Sequence, residues 1–232
     1  MSNQSPINPV QTLLALVNHI LTQHPEVAPY VEQIVQNVRG NTDMAALMQW
    51  ASRAYAAPSP QCVKQTVLVR NAFENAIWIE TGTYLGQTTK VLMKHGSFVY
   101  SIEPEPMLYA KACELFKPYP NVEIIKGLSE EVFPVILPKL EGDINFWLDG
   151  HYSEGLTHRG PQDTPIGDEL RGIAENIHRF RRVCVMVDDV RCFNPELKEY
   201  STYPALKSLV DWAEANRLGW HIEHDIFVAK TK

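Results

Sequence analysis

The sequence predicts a Rossmann-like, doubly wound α/β fold: a mostly parallel sheet of six or seven strands with helices on both faces, preceded by an all-helical N-terminal extension. Three observations carry this expectation. From residue 61 onward, strand-like apolar runs alternate with helix-like stretches, the order that builds a parallel sheet with helical crossovers. The segment Trp78-Ile79-Glu80-Thr81-Gly82-Thr83-Tyr84-Leu85-Gly86-Gln87 passes from an apolar run through two glycines into a helix-forming stretch. Residues 8–57, in contrast, carry helical periodicity alone.

Taken in order, Val10, Leu13, Leu14, Val17, Ile20 and Leu21 share one helical face, and Pro25 ends that helix. Tyr30, Val31, Ile34, Val35 and Val38 form a second stripe, closed by Gly40-Asn41. Thr42 can cap a third helix running toward Tyr55. Pro58-Ser59-Pro60 then punctuates the chain, with Ser59 as cap and Pro60 in the first helical turn. These signals divide the chain into an extension, 1–57, and a main domain, 58–232. The extension serves either as a cover for the main domain or as a homodimer interface. Strands are expected at 76–80, 98–103, 122–126, 144–149 and 183–188. Helices are expected at 87–95, 105–117, 129–140 and 166–181, with a last one between Pro204 and Gly219. Segments 220–225 and 226–230 read as one bent strand or a tight hairpin. Segment 153–168 is long for a strand-to-helix link and carries Gly155, Gly160 and Gly167, which suits a substrate lid.

At 232 residues with 45% hydrophobic content, the chain can bury the core of one domain with a small appendage. A net charge of -6 argues against nucleic acid as the main partner. The basic cluster His178-Arg179-Phe180-Arg181-Arg182 reads as a helix end complementing the dipole. Cys62, Cys113, Cys184 and Cys192 form no C-x-x-C pair, and Cys184 lies in an apolar run, so buried thiols are expected rather than disulfides or zinc. With no bilayer-length apolar run and no secretory signal, a cytoplasmic protein without a membrane partner is expected.

The polar residues cluster at strand ends, which in a parallel sheet share one rim. Glu80 ends the first strand, and the second ends at Glu103, where an acid can accept hydrogen bonds from a ribose diol. Gly82 lets the backbone approach a ligand, and the free N–H groups at the next helix start attract its negative end. The third strand leads into Gly127-Leu128-Ser129-Glu130, where an adenine edge can dock. The fourth ends at Asp149 and the fifth at Asp188-Asp189. The spacing E-x-G-x-x-x-G lacks the third glycine of a dinucleotide loop.

Residues 61–195 resemble the catechol-type class I S-adenosylmethionine-dependent O-methyltransferases. Glu80–Gly86 resembles their first cofactor loop, Ser101-Ile102-Glu103-Pro104-Glu105 their ribose-binding strand end, and 127–134 their adenine-side segment. Phe146-Trp147-Leu148-Asp149 and Val187-Asp188-Asp189-Val190 resemble the two strand ends that hold magnesium. The Asp-Asp pair, where the catechol enzymes usually have Asp-Asn, resembles the sugar O-methyltransferases of macrolide biosynthesis. The resemblance implies S-adenosylmethionine held by Glu80, Gly82, Thr83, Tyr84, Gly86, Glu103, Pro104, Ser129, Glu130 and Asp149, and Mg²⁺ held by Asp149, Asp188 and Asp189. It supplies no base: the catechol lysine, three residues after the first metal acid, is Tyr152 here. His151 either takes that catalytic role beside Asp149 or stacks on the cofactor, and His158 is a weaker candidate.

The metal also has a case of its own. Three carboxylates at neighbouring strand ends are hard ligands suited to Mg²⁺, Ca²⁺ or Mn²⁺, and their mutual repulsion favours a cation. The competing arrangement pairs Asp188 and Asp189 with Arg171 or Arg191. The function expected is O-methylation of a small hydroxylated acceptor. The alternatives are metal-independent methylation at nitrogen, carbon or a carboxylate, a nicotinamide-dependent oxidoreductase, and a non-catalytic cofactor-binding scaffold.

Overall fold

The computed structural model describes residues 22–150 and 164–232. The chain forms two compact units, residues 1–54 and 55–232. In the first, a break at His24 and a single 3-10 turn at Pro25–Val27 lead into helix α1, Ala28–Ser52. The stripe expected over 10–21 lies outside the described residues. The expected second and third helices are one: α1 continues through Gly40, Asn41 and Thr42. A glycine inside a helix costs about 1 kcal/mol relative to alanine. A helix of 25 residues absorbs that, so Thr42 is an interior position and not a cap.

The second unit carries the sheet. Helix α2 is Gln61–Asn71, followed by β1 Ile77–Thr81, α3 Gln87–His95, β2 Phe98–Glu103, α4 Pro106–Phe116 and β3 Val122–Lys126. Then come α5 Ser129–Ile136, β4 Gly142–Leu148, α6 Ile166–Asn176, β5 Phe180–Val187, α7 Leu206–Ala215, β6 Gly219–Glu223 and β7 Ile226–Lys230. The seven strands lie in the order β3-β2-β1-β4-β5-β7-β6. Strands β1 to β5 are mutually parallel, and β7 runs antiparallel to both β5 and β6. The doubly wound α/β expectation therefore holds, with seven strands. The terminal pair is a hairpin because His224 and Asp225 both take positive φ, 48° and 72°. A two-residue turn with that geometry matches the twist of antiparallel strands.

Alternation along each strand builds two cores. Ile79, Phe146, Leu148, Val185, Val187 and Phe227 point to the face covered by Phe133 of α5, Ile173 of α6 and Leu209 of α7. Trp78, Val99, Trp147, Cys184, Met186 and Val228 point to the other, against Val67 and Leu68 of α2 and Leu92 of α3. Both faces are buried, so β4 and β5 read as nearly unbroken apolar runs. Each fully buried Val, Leu or Phe contributes about 1.5–3 kcal/mol. Buried Asn145 in β4 bridges the backbone of Phe73, accepting from its N–H at 3.0 Å and donating to its carbonyl at 2.9 Å.

Two local expectations are corrected. Ser59 does not cap α2: its hydroxyl donates to the His224 carbonyl at 2.9 Å, and Pro60 occupies the cap position. The basic cluster is a helix end only in its first half, His178-Arg179. Helix α6 stops at Asn176, a 3-10 turn spans Ile177–Arg179, and β5 begins at Phe180. Arg181 and Arg182 are thus strand residues, and both guanidinium groups bind Asp143 of β4. They hold its carboxyl well below the usual range. Arginine carries no periodic signal, so its acidic partner on the neighbouring strand was invisible in the linear pattern. The cysteines are thiols, with Cys184 and Cys192 buried as expected for Cys184; burial raises the Cys184 thiol to about 12. Among the described residues, no helix is long and apolar enough to cross a membrane.

Candidate functional site

The C-terminal ends of β1 to β5 share one rim. Glu80, fully buried, accepts from Thr89 Oγ1 and Ser101 Oγ through one carboxylate oxygen, each at 2.6 Å. Ser101 Oγ also lies 2.6 Å from Thr83 Oγ1. The network joins β1, β2, α3 and the turn after β1. The other oxygen, Glu80 Oε1, has no hydrogen-bond partner. Burial raises this acid to about 7, against the pull of the two hydroxyls.

The turn after β1 is fixed by backbone geometry. Gly82 takes φ +88°, and a Cβ there would sit 2.8 Å from the Asp149 carbonyl oxygen. The close approach expected at this glycine is therefore, in the structure, an approach to the end of β4. Gly86 takes φ +71° at the start of α3, with the Phe116 ring 2.7 Å from where its Cβ would be. The N–H groups of Gly82 and Thr83 donate to the Ile102 carbonyl. The Tyr84 N–H donates to Glu103 Oε2 at 2.8 Å, and the Glu105 N–H to Glu103 Oε1 at 3.0 Å. Glu103 is thereby held beside the Gly82–Tyr84 turn. The Gly127 N–H reaches the Glu103 carbonyl at 3.3 Å, which brings the β3 end alongside. There Ser129 is buried at the start of α5, 3.4 Å from the Glu130 carboxylate. Pro104, next to Glu103 in the chain, is half-buried. Tyr84 and Leu85 of this turn and Met107 of α4 are large side chains left more than half exposed.

On the other half of the rim, the Asp149 N–H donates to Thr81 O at 3.2 Å, and the Asp188 N–H to Leu148 O at 3.1 Å. These bonds set the β4 end between those of β1 and β5. Asp189 takes φ +56°, and its N–H donates to Asp188 Oδ1 at 2.8 Å. As a result, ligand atoms of Asp149, Asp188 and Asp189 all lie within 4.8 Å of one another. Opposite ligands of Mg²⁺ stand about 4.2 Å apart, and those of Ca²⁺ about 4.6–5.2 Å. The donor set and its span therefore fit one hard divalent ion, with a small contraction for magnesium.

Two cations already face this triad, and sequence reasoning missed the first of them, Lys64. Lys64 Nζ donates to Asp188 Oδ2 at 2.5 Å and to Asp189 Oδ1 at 3.1 Å. Arg191 Nη1 donates to Asp189 Oδ1 at 2.6 Å and also to Asp225 at the hairpin turn. Burial lowers the Lys64 pKa, but the charges of Asp188 and Asp189 outweigh this and hold the amine protonated. Burial, with the Asp189 charge second, raises Asp188 to about 6 despite Lys64. Of the two arginines weighed from sequence, Arg191 meets Asp189, whereas Arg171 pairs with Asp168 on its own helix. A signal for Lys64 existed: with Val67 and Leu68 it lies on one face of α2, and a lysine on a buried face needs an acid. Buried Glu169 of α6 was also missed. Its Oε1 lies 3.5 Å from where a Cβ on Gly150 would stand. His151, Tyr152 and His158 lie outside the described residues, as does 153–163 of the expected lid.

The fold and rim together define an open α/β protein that presents Glu103 and a carboxylate triad at the C-terminal ends of its parallel strands. No family model and no curated relative matches the chain. Among solved structures it is similar to a protein described as a caffeoyl-CoA O-methyltransferase from Staphylococcus aureus, at 13% identity over 88% of this chain and 98% of that one, TM-score 0.49. It is also similar to the N-methyltransferase NodS from Bradyrhizobium japonicum, at 14% identity over 73% and 94%, TM-score 0.49. A protein described as a methyltransferase from Streptococcus mutans, in complex with SAH, matches at 14% identity over 75% and 98%, TM-score 0.47. With scores below 0.5, these likenesses define neither the reaction nor the ligand of this chain.

Proposed function

We propose that the chain is an S-adenosylmethionine-dependent methyltransferase that methylates a hydroxyl oxygen of a small molecule, with Mg²⁺ held by Asp149, Asp188 and Asp189. The observation that carries the reading is the juxtaposition at one rim. Glu103 is fixed by the Tyr84 N–H at 2.8 Å, and three carboxylates gather within 4.8 Å at the β4 and β5 ends. Asp149 belongs to both halves, since its carbonyl packs on Gly82 and its carboxylate joins the triad.

In this reading Glu103 accepts the ribose hydroxyls. The Gly82–Gly86 turn and Glu80 shape the methionine side, and Pro104, Ser129 and Glu130 line the adenine side. The cofactor supplies a sulfonium methyl, and the ion supplies Lewis acidity that lowers the pKa of an acceptor hydroxyl. Asp149 orients the acceptor from between the two halves. His151, two residues beyond Asp149, takes the hydroxyl proton.

Metal-independent methyl transfer is the second reading, favoured by the Lys64 ammonium lying against two of the three carboxylates. Incubation with methyl-labelled S-adenosylmethionine and a panel of hydroxylated small molecules, with and without EDTA, tests both. Label transfer that EDTA abolishes and Mg²⁺ restores is expected. Transfer that survives EDTA leaves the second reading, and binding of NAD without binding of S-adenosylhomocysteine overturns both.

A further inference from the structure

Lys64 sits in the first turn of α2, whose Val67 and Leu68 are in the core with Trp78 and Leu92. Its side chain is only 12% exposed and ends between Asp188 and Asp189. Such burial is tolerated because the amine is paired. The two oxygens it bridges belong to carboxylates of the set that would hold a divalent ion. An ion bound to both acids would stand within a few ångströms of the ammonium, and two cations so close in a partly dry site repel strongly. Arg191 is placed differently, because it retains Asp225 as a second anchor when Asp189 is engaged elsewhere. Among the described residues, Lys64 Nζ donates to Asp188 and Asp189 and to no third acid. Its flexible stem can withdraw, whereas the Asp188 carboxylate is held by the Asp189 N–H.

We propose that Lys64 is a built-in competitor of the metal: its ammonium closes the carboxylate triad, and a divalent ion loads only by displacing it. This rests on the metal reading above and deepens it, because it makes loading an exchange of cations and sets the ion concentration at which the site fills. A site whose competent state is a minor population binds with an affinity reduced by that fraction.

The test is calorimetric titration of the full chain with Mn²⁺, for the wild type, Lys64→Met, Lys64→Gln and Lys64→Arg, with folding checked by circular dichroism. The neutral variants are expected to bind Mn²⁺ at least about tenfold more tightly than the wild type, and Lys64→Arg within about twofold of it. Lys64→Gln keeps a polar head and so serves if Lys64→Met does not fold. Equal Mn²⁺ affinity in the wild type and the neutral variants would overturn the competition and leave the metal reading standing. A gain in Lys64→Arg as large as in Lys64→Met would also overturn it, by showing that packing and not charge is responsible. No Mn²⁺ binding by any of the proteins would overturn both, and S-adenosylhomocysteine titrated into the same samples would report separately on the nucleoside half of the site.

Discussion

Replacing Glu80 with glutamine gives a stability change whose pH dependence can be worked out from the structure. The carboxyl is fully buried and burial raises its pKa from the ordinary 4.5 to about 7. Between these values the folded chain holds a proton that the unfolded chain releases. The stability associated with protonated Glu80 is therefore fully present below about 4.5 and lost as pH rises through about 7. At about 1.4 kcal/mol for each pH unit, the whole window is worth roughly 3 kcal/mol. Glutamine does not titrate. Its carbonyl can accept from Thr89 and Ser101, while its amide at the unpartnered oxygen adds a cost that does not vary with pH. The slope is thus the diagnostic quantity, not the offset. Urea unfolding of both proteins, followed by tryptophan fluorescence, should show Glu80→Gln gaining about 2–3 kcal/mol relative to the wild type between pH 5 and pH 8. A difference that stays constant across this range would refute the reasoning, because Glu80 would then titrate alike in the folded and unfolded chains.

Other substitutions test other parts of the rim. Gly82→Ala should destabilise the chain by about 2 kcal/mol or more, since φ is +88° and the Asp149 carbonyl oxygen stands 2.8 Å from the new Cβ; urea unfolding measures it. Asp188→Asn should lower label transfer at least about tenfold, because even outer partners of a metal site cost 10–100-fold. It should leave S-adenosylhomocysteine affinity within about twofold, read by calorimetry, since Asp188 stands on the metal half of the rim.

The strands were legible because burial on both faces leaves a simple signature. The expected and observed bounds of β2 and β7 coincide, and each is a mostly buried run ending in a charge; those of the edge strand β3 coincide as well, although none of its residues is buried. Alternation with helices gave the parallel direction, and direction alone put Glu80, Glu103, Asp149 and Asp188 on one rim. What the pattern did not carry was partnership across the chain. Lys64 and Asp188 are 124 residues apart, and nothing local to either marks the pair. Arg181 and Arg182 looked like a helix end because their acid, Asp143, lies on another strand. Gly40 looked like a stop because glycine is common at helix ends, yet a left-handed residue there is permitted and not required. Gly82 was recognised as special, but its neighbour is the Asp149 carbonyl, a contact that only the adjacency of β1 and β4 creates.

The proposed function requires Glu103 to act as the hydroxyl acceptor for a sulfur-bearing nucleoside at this rim. Calorimetric titration of S-adenosylhomocysteine into the wild type and Glu103→Gln tests it most directly, with NAD as the competing ligand. Loss of a charged acceptor is worth about 1.5–3 kcal/mol, so the variant should bind about 10–100-fold more weakly, and NAD should give no heat with either protein. Unchanged affinity in Glu103→Gln, or binding of NAD in place of S-adenosylhomocysteine, would contradict the account.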